Sequence, residues 1–325
     1  MSLTVWTNHS FRPEALELFK QGLAATGHRL IHSPKASASV LAAGVPDPAM
    51  AEADVAFGQP DVADTMQQAR LRWVALSTAG YTRYDRDDFR AAMTARGTCV
   101  TSSSAVFADP CAQQMLAGML ALTRNLPAQL RNQDGPREWR YHEDRFTATV
   151  LTGKSVLLLG FGAIGRRLAE LLAPFGGRVT AYRRTPRGDE GVAVVTDSGL
   201  AAALAAADHV VDLLPESPAT RQFMNAARFA QMKRGARFYN IGRGTTVDQA
   251  ALIAALMSGR VGGAYLDVME PEPLPPVHPL WAAPNCHLTC HIGGGTGDQD
   301  EKLARHFLEN LRRFEAGEPL VDRIM

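Results

Sequence analysis

The 325-residue sequence has little cysteine, almost no net charge and no long apolar run. Four cysteines in a chain of this length make no disulfide framework, so a reducing compartment is the default expectation. A formal net charge of +1 offers no electrostatic footing on nucleic acid or on an anionic membrane. The opening Met-Ser-Leu-Thr-Val-Trp-Thr lacks a basic stretch followed by an apolar one, so no signal peptide is read there. The alanine-rich run Leu200 to Ala207 is far too short to span a bilayer and ends in Asp208. Solenoid-type repeats and a low-complexity tail are also missing. Together these absences lead to the expectation of a soluble cytoplasmic protein that binds neither nucleic acid nor membrane. What is present is ordinary for a globular chain, 46% hydrophobic and 21% charged residues, and the length suggests two domains.

Short apolar runs alternate with helical patterns. Leu3 to Trp6, Val55 to Phe57 and Trp73 to Leu76 read as strands, with helices near Pro13 to Ala25 and Val62 to Ala69. This first unit closes near Cys99 to Ser104, where serines interrupt the pattern. A helix is expected over Pro110 to Asn125, then a polar loop containing Pro136 and Trp139. A second alternation follows: strands Ser155 to Leu159, Arg178 to Tyr182, His209 to Leu214, Arg237 to Ile241 and Ala264 to Val268, and helices Ala163 to Leu172, Leu200 to Ala207 and Gln249 to Met257. A last helix spans about Asp298 to Glu315, with Leu303, Phe307, Leu308 and Leu311 on its apolar side. Strand–helix–strand spacing of this kind implies an α/β protein with parallel sheets.

Gly160-Phe-Gly-Ala-Ile-Gly165 follows a continuous apolar strand and opens a helix. Glycines at these three positions allow a tight turn, a close backbone approach to a pyrophosphate, and helix–strand packing. The helix N-terminus then presents free N–H groups to phosphate. The flanking strands supply the context that a lone glycine pattern lacks, and dinucleotide binding is expected at Gly160, Gly162, Ala163, Ile164 and Gly165. An acidic residue at the end of the second strand would bond the ribose 2′-hydroxyl of NAD, and none stands there. The sequence instead reads Ala181-Tyr-Arg-Arg-Thr-Pro-Arg187. Arg183 and Arg184, with Arg187 and Thr185 beside them, suit the 2′-phosphate of NADP, which makes NADP the preferred cofactor and NAD the alternative.

Downstream stand Asn240-Ile-Gly-Arg-Gly244, Asp267-Val-Met-Glu-Pro-Glu-Pro273 and His291-Ile-Gly-Gly294. Taken alone, each has a duller reading: a surface arginine, solvated acids in a proline-rich loop, a packed histidine. In this order, after the glycine loop, they resemble the D-isomer-specific 2-hydroxyacid dehydrogenase family, including its glyoxylate/hydroxypyruvate reductases. The resemblance runs from about Leu71 to the C-terminus. It implies reduction of a small 2-keto acid to the D-2-hydroxy acid, with Arg243 gripping the substrate carboxylate, His291 as acid/base and Glu272 orienting it. It further implies Asp267 beside the nicotinamide, cofactor contacts at Leu214, Pro215, Ile241, Gly242 and Gly293, and substrate contacts at Ala79 and Gly80. Two parallel-sheet domains are expected from it, a flavodoxin-like substrate domain over residues 1–102 and 296–325 with a Rossmann-like NAD(P)-binding domain, 103–295, inserted. A homodimer is expected too, with the 110–125 helix in the contact.

The chemistry explains these residue types. Reduction at the keto carbon builds negative charge on the carbonyl oxygen, which an imidazolium stabilises and finally protonates. An adjacent carboxylate favours the imidazolium, so Glu272 extends the working pH range upward. A guanidinium holds a planar carboxylate by two bonds, as a lysine cannot. Three positions depart from the family pattern: Cys290 where a proline often precedes the histidine, Gln113 where a glutamate is usual, and Ser77-Thr-Ala-Gly-Tyr81 without the lysine of some relatives. The cluster Cys286-His-Leu-Thr-Cys-His291 is not read as a metal site, because residues four apart on a strand lie about 13 Å from each other. Two other functions stay open: an NAD-dependent dehydrogenase of another D-2-hydroxy acid, and a nucleotide-sensing binding protein like the family's corepressor relatives.

Overall fold

The computed structural model describes residues 2–37 and 44–325, whose contacts divide into two units: residues up to Phe107 together with Gly295–Met325, and Ala108–Gly294. In the first, β1 (Thr4–His9), α1 (Pro13–Ala25), β2 (Arg29–Ser37), β3 (Val55–Gly58), α2 (Val62–Gln67), β4 (Trp73–Leu76), α3 (Asp87–Arg96) and β5 (Cys99–Thr101) alternate along the chain. The sheet runs β2-β1-β3-β4-β5, parallel throughout. Strands β3 and β4 are buried at every position, which is why they read as unbroken apolar runs instead of alternating ones.

The second unit contains most of α4 (Ser104–Thr123), then α5 (Leu126–Asp134), α6 (Tyr141–Arg145), β6 (Ser155–Leu159), α7 (Ala163–Leu172), β7 (Arg178–Tyr182), β8 (Ala193–Val195), α8 (Asp197–Ala206), β9 (His209–Asp212), α9 (Ala226–Gln231), β10 (Ala236–Asn240), α10 (Gln249–Met257), β11 (Val261–Leu266) and β12 (Cys286–Leu288). Its seven-stranded sheet has the order β12-β11-β10-β9-β6-β7-β8, again all parallel. Register aligns the strand ends: Leu159 lies opposite both Tyr182 and Asp212, and Asn240 opposite both Asp212 and Leu266. Loops therefore leave five strands side by side. Chain order reverses between β6 and β9, and a crevice outside the carboxyl ends of strands at such a reversal is where open α/β sheets take ligands.

The chain ends on α11 (Gln299–Ala316), which returns to the first unit. Its Phe307 stacks on Trp73 with ring centres 5.0 Å apart and meets Phe19 at 5.1 Å. The final residues then bond β5, the Ile324 amide donating to the Val100 carbonyl at 2.9 Å.

Several elements differ from expectation. Helix α4 begins at Ser104, six residues before the expected start, and carries Pro110 in its second turn. Proline fits the first turn of a helix so well that it was the natural place to start one. The segment after α4 forms α5 and α6 where a polar loop was expected. Both lack buried residues, so neither imprints an apolar period on the sequence. The unanticipated strands β2, β5, β8 and β12 are sheet edges, where one side is open and a residue such as Pro34 is tolerated. Strand β11 starts at Val261, three residues early, because Gly262 and Gly263 hide its apolar run.

Candidate active site

The turn from β6 into α7 is the first part of the site. Gly160 has φ +95°, and a side chain there would press on the Leu213 carbonyl at 3.1 Å. No side chain caps α7, so its first-turn amides are left for another partner. Beside this turn opens a cavity of 720 Å³. Of the residues anticipated for a dinucleotide, Gly160, Gly162, Ala163, Arg183, Arg184, Leu214 and Pro215 line it. Ile164 and Gly165 are not in its lining, and Gly165 instead packs on the Gly160 carbonyl. Phe161, Arg166, Tyr182, Ala219, Thr220 and Phe223 line it without having been anticipated. Arg166 was detectable as a cation within the motif's helix, whereas Phe223 sits in a loop with no pattern of its own.

At the far side of this cavity four guanidiniums meet two carboxylates. Arg166, Arg183, Arg184 and Arg187 all line the wall. Arg183 donates to Glu190 at 3.1 Å, and Arg166 to Asp189 at 2.8 Å. Glu190, its side chain only 3% exposed, also accepts the Arg187 and Gly188 amides at 2.7 and 2.9 Å. The Arg187 amide, ahead of the other bonds, holds its carboxyl below the usual range. Glu190 lies three residues beyond the arginine run and was not anticipated.

The second part lies at the ends of β10 and β11 and in the loop after β12. Asn240 braces the turn after β10: its Oδ1 accepts the Gly242 amide at 2.8 Å and its Nδ2 donates to the Arg243 carbonyl at 2.9 Å. A side chain at Gly244 would overlap the Met269 carbonyl, so only glycine lets this turn lie against the acidic loop. Arg243 is partly buried and takes part in no ion pair among the described residues, its Nη1 donating only to the Gly242 carbonyl at 2.6 Å. Burial lowers its pKa, while Glu216 and Glu272 act to restore it. Glu272 accepts the Met269 amide at 2.9 Å with one oxygen and contacts His291 Nδ1 at 2.7 Å with the other. Burial works against its charge, but the His291 and Met269 bonds outweigh it and draw the carboxyl below its usual range.

His291 is held in an unusual backbone state, φ +53°, by its amide donating to the Asp267 carbonyl at 2.8 Å. The buried Asp267 side chain completes the clamp, accepting from Thr289 Oγ1 at 2.6 Å and from the Ile292 and Gly293 amides at 3.1 and 2.8 Å. Gly293 is tight against this carboxylate, since a side chain there would lie 2.7 Å from Asp267 Oδ2 and would strike Ile241. Thr289 in turn contacts the Tyr265 hydroxyl at 2.9 Å, and Gln114 of α4 donates to Tyr265. Gln114, Tyr265 and Thr289 were not anticipated. Gln113, the departure noted in the sequence, is exposed and donates to Asp109 instead. Cys290 is exposed. Cys111 is buried, its thiol pushed up to about 12 by that burial. Among the described residues no group of three or more histidine, cysteine or acidic side chains is placed to hold a metal, and no helix is long and apolar enough to cross a membrane.

Ala79 and Gly80 belong to the other unit, on the turn after β4, where Thr78 Oγ1 donates to the Gly80 carbonyl at 2.7 Å.

The model of the D-isomer specific 2-hydroxyacid dehydrogenase NAD-binding domain matches residues 116–293. The chain belongs to the D-isomer specific 2-hydroxyacid dehydrogenase family. It is 31% identical to human glyoxylate reductase/hydroxypyruvate reductase over 254 residues, 78% of this chain and 76% of that one. It is also 31% identical to the D-3-phosphoglycerate dehydrogenase of Mycobacterium tuberculosis over 259 residues, 78% of this chain but only 47% of that one. The chain thus spans about half the length of several curated relatives it matches. Among solved structures, a D-isomer specific 2-hydroxyacid dehydrogenase from Xanthobacter autotrophicus in complex with NADPH and MES superposes with a TM-score of 0.79 at 31% identity, covering 100% of this chain and 98% of that one.

Proposed function

We propose that the protein reduces a small 2-keto acid of glyoxylate or hydroxypyruvate size to the D-2-hydroxy acid, with NADPH as the preferred reductant. The observation that carries this reading is the 2.7 Å pair between His291 Nδ1 and Glu272, formed within the electrostatic reach of an arginine that has no carboxylate partner of its own. The bound dinucleotide would supply the reducing equivalent from its nicotinamide ring. The residues present fit such a group: an uncapped helix N-terminus, a glycine turn and a 720 Å³ cavity stand together. His291, with Nδ1 committed to Glu272, offers its Nε2 proton to the developing alkoxide. Arg243 takes the substrate carboxylate by its guanidinium fork. Asp267 holds the 289–293 loop so that His291 keeps its aim.

The preference for NADPH rests on the arginine wall. Two of its four guanidiniums are paired with Glu190 and Asp189, and Arg184 and Arg187 have no ion pair among the described residues. A 2′-phosphate would meet both. The relative crystallised with NADPH makes the same cofactor reasonable here. We also propose a homodimer through the second unit, which would cover Trp139 and Phe146, exposed at 93% and 81%. Oxidation of NADPH and NADH with a panel of 2-keto acids tests the central reading. Turnover with at least one short keto acid, faster with NADPH, is expected. Tight nucleotide binding with no turnover on any keto acid would overturn it in favour of a nucleotide sensor.

A further inference from the structure

A buried carboxyl outside the catalytic set lies against the Arg243 turn. Asp212 ends β9 and is 0% exposed. Its Oδ1 accepts the Leu214 amide at 3.0 Å, and its Oδ2 lies 2.6 Å from Thr246 Oγ1. The same Thr246 oxygen lies 2.7 Å from the Arg243 carbonyl oxygen. A hydroxyl carries one proton. Each oxygen–oxygen contact this short needs a proton between the atoms, because bare lone pairs at that distance repel. The Arg243 carbonyl has none to give, so one of the two protons must come from Asp212.

We propose that Asp212 is a neutral carboxylic acid and the positioning residue of the Arg243 turn, an inference that rests on Arg243 being the carboxylate-binding group. The acid donates to Thr246, and Thr246 donates to the Arg243 carbonyl, which also receives Asn240 Nδ2 at 2.9 Å. The Asp212 main-chain carbonyl takes the Ile241 and Gly242 amides at 3.2 and 3.1 Å. One residue therefore holds the turn from both sides and, through Leu214, a wall of the dinucleotide cavity.

Burial is the main influence on the Asp212 carboxyl and pushes it up to about 7, against the pull of the Thr246 and Leu214 bonds. Its neighbours on the flanking strands, Leu159 and Asn240, are uncharged. The charged residues on the surrounding elements are Arg237 at the other end of β10, Glu216 beyond Leu214, and Arg243 itself. None of them bonds its side chain. As pH rises through about 7 the proton leaves, Thr246 turns its hydroxyl to the new carboxylate, and the Arg243 carbonyl loses a donor.

Infrared difference spectra of the wild type against Asp212→Asn test the protonation state without turnover. The C=O stretch of a protonated carboxylic acid should be present at about pH 6 and fade as the pH passes about 7. No such band would overturn the neutral acid. Should Asp212→Asn not fold, Thr246→Val serves instead: it removes the acceptor of the acid proton and should shift the band. Keto-acid KM tests the positioning. Between about pH 6 and about pH 8.5 the wild-type KM should rise about 2- to 10-fold relative to that of Asp212→Asn, whose amide keeps a donor toward Thr246 at every pH. A ratio independent of pH would overturn the positioning role. If no keto acid is turned over, the reading of the site fails on its own terms, and the band still decides the state of Asp212.

Discussion

The two ends of the second unit handle charge in opposite ways. At the His291 end charges are matched singly: one histidine, one glutamate at 2.7 Å, and an arginine in no ion pair among the described residues. At the Arg183 end cations outnumber anions, four guanidiniums against Glu190 and Asp189. The partners are also assembled differently. Glu272 and His291 come from separate loops 19 residues apart, while Arg183 and Glu190 belong to a single turn. The His291 pair is thus built from distant segments and the arginine turn from a local one, so the two should be separable by mutation.

The sharpest break is at the catalytic end. His291→Gln should lower keto-acid turnover about 10²–10⁴-fold and leave NADPH affinity nearly unchanged. Wild-type turnover in that variant, measured by NADPH oxidation, would remove His291 from the mechanism. At the other end, replacing Arg184 and Arg187 with Ala should cost about tenfold or more in kcat/KM for NADPH while sparing NADH, since each charge-assisted bond is worth about 1.5–3 kcal/mol. The preference in the unmodified protein should weaken as salt is raised. A wild type that favours NADH would reduce the arginine turn to a solvated loop.

Glu272→Gln gives a smaller, directional effect. Its carboxyl lies below the usual range, so it is ionised throughout the working range and loses its charge only in acid. The wild-type rate should therefore fall on the acid side as Glu272 takes up a proton, and Glu272→Gln should lack that limb. An acid limb kept in the variant would separate Glu272 from the reaction. The smallest change expected is from Tyr265→Phe, which breaks the chain from Gln114 to Thr289 and Asp267. A fall in kcat of about 2- to 10-fold, without a change in NADPH affinity, would mark that chain as a support of the histidine loop.

How far the sequence could be read follows burial. Strands β6 and β7 and helices α7 and α10 were legible to the residue, because an inner strand of the sheet or a glycine-framed helix leaves a continuous local pattern. Helices α5 and α6 left none, as they bury no side chain, and the edge strands β8 and β12, three residues each, are too short to show one. Motif order singled out Arg243, Glu272 and His291, of which the structure brings Glu272 and His291 to 2.7 Å, and the flanking strands singled out the glycine turn.

The partners were not recognisable. Nothing local ties Thr246 to Asp212 or Tyr265 to Thr289. Sequence alone determined what depends on near neighbours: the parallel α/β class, the glycine turn, the order of the reactive residues. The tertiary structure decided which carboxylates are buried, which cations stay unpaired, and which hydroxyls bridge them. Those outcomes depend on strand register and on loops meeting across a sheet, and the free energy of a charge is set by whatever surrounds it in space.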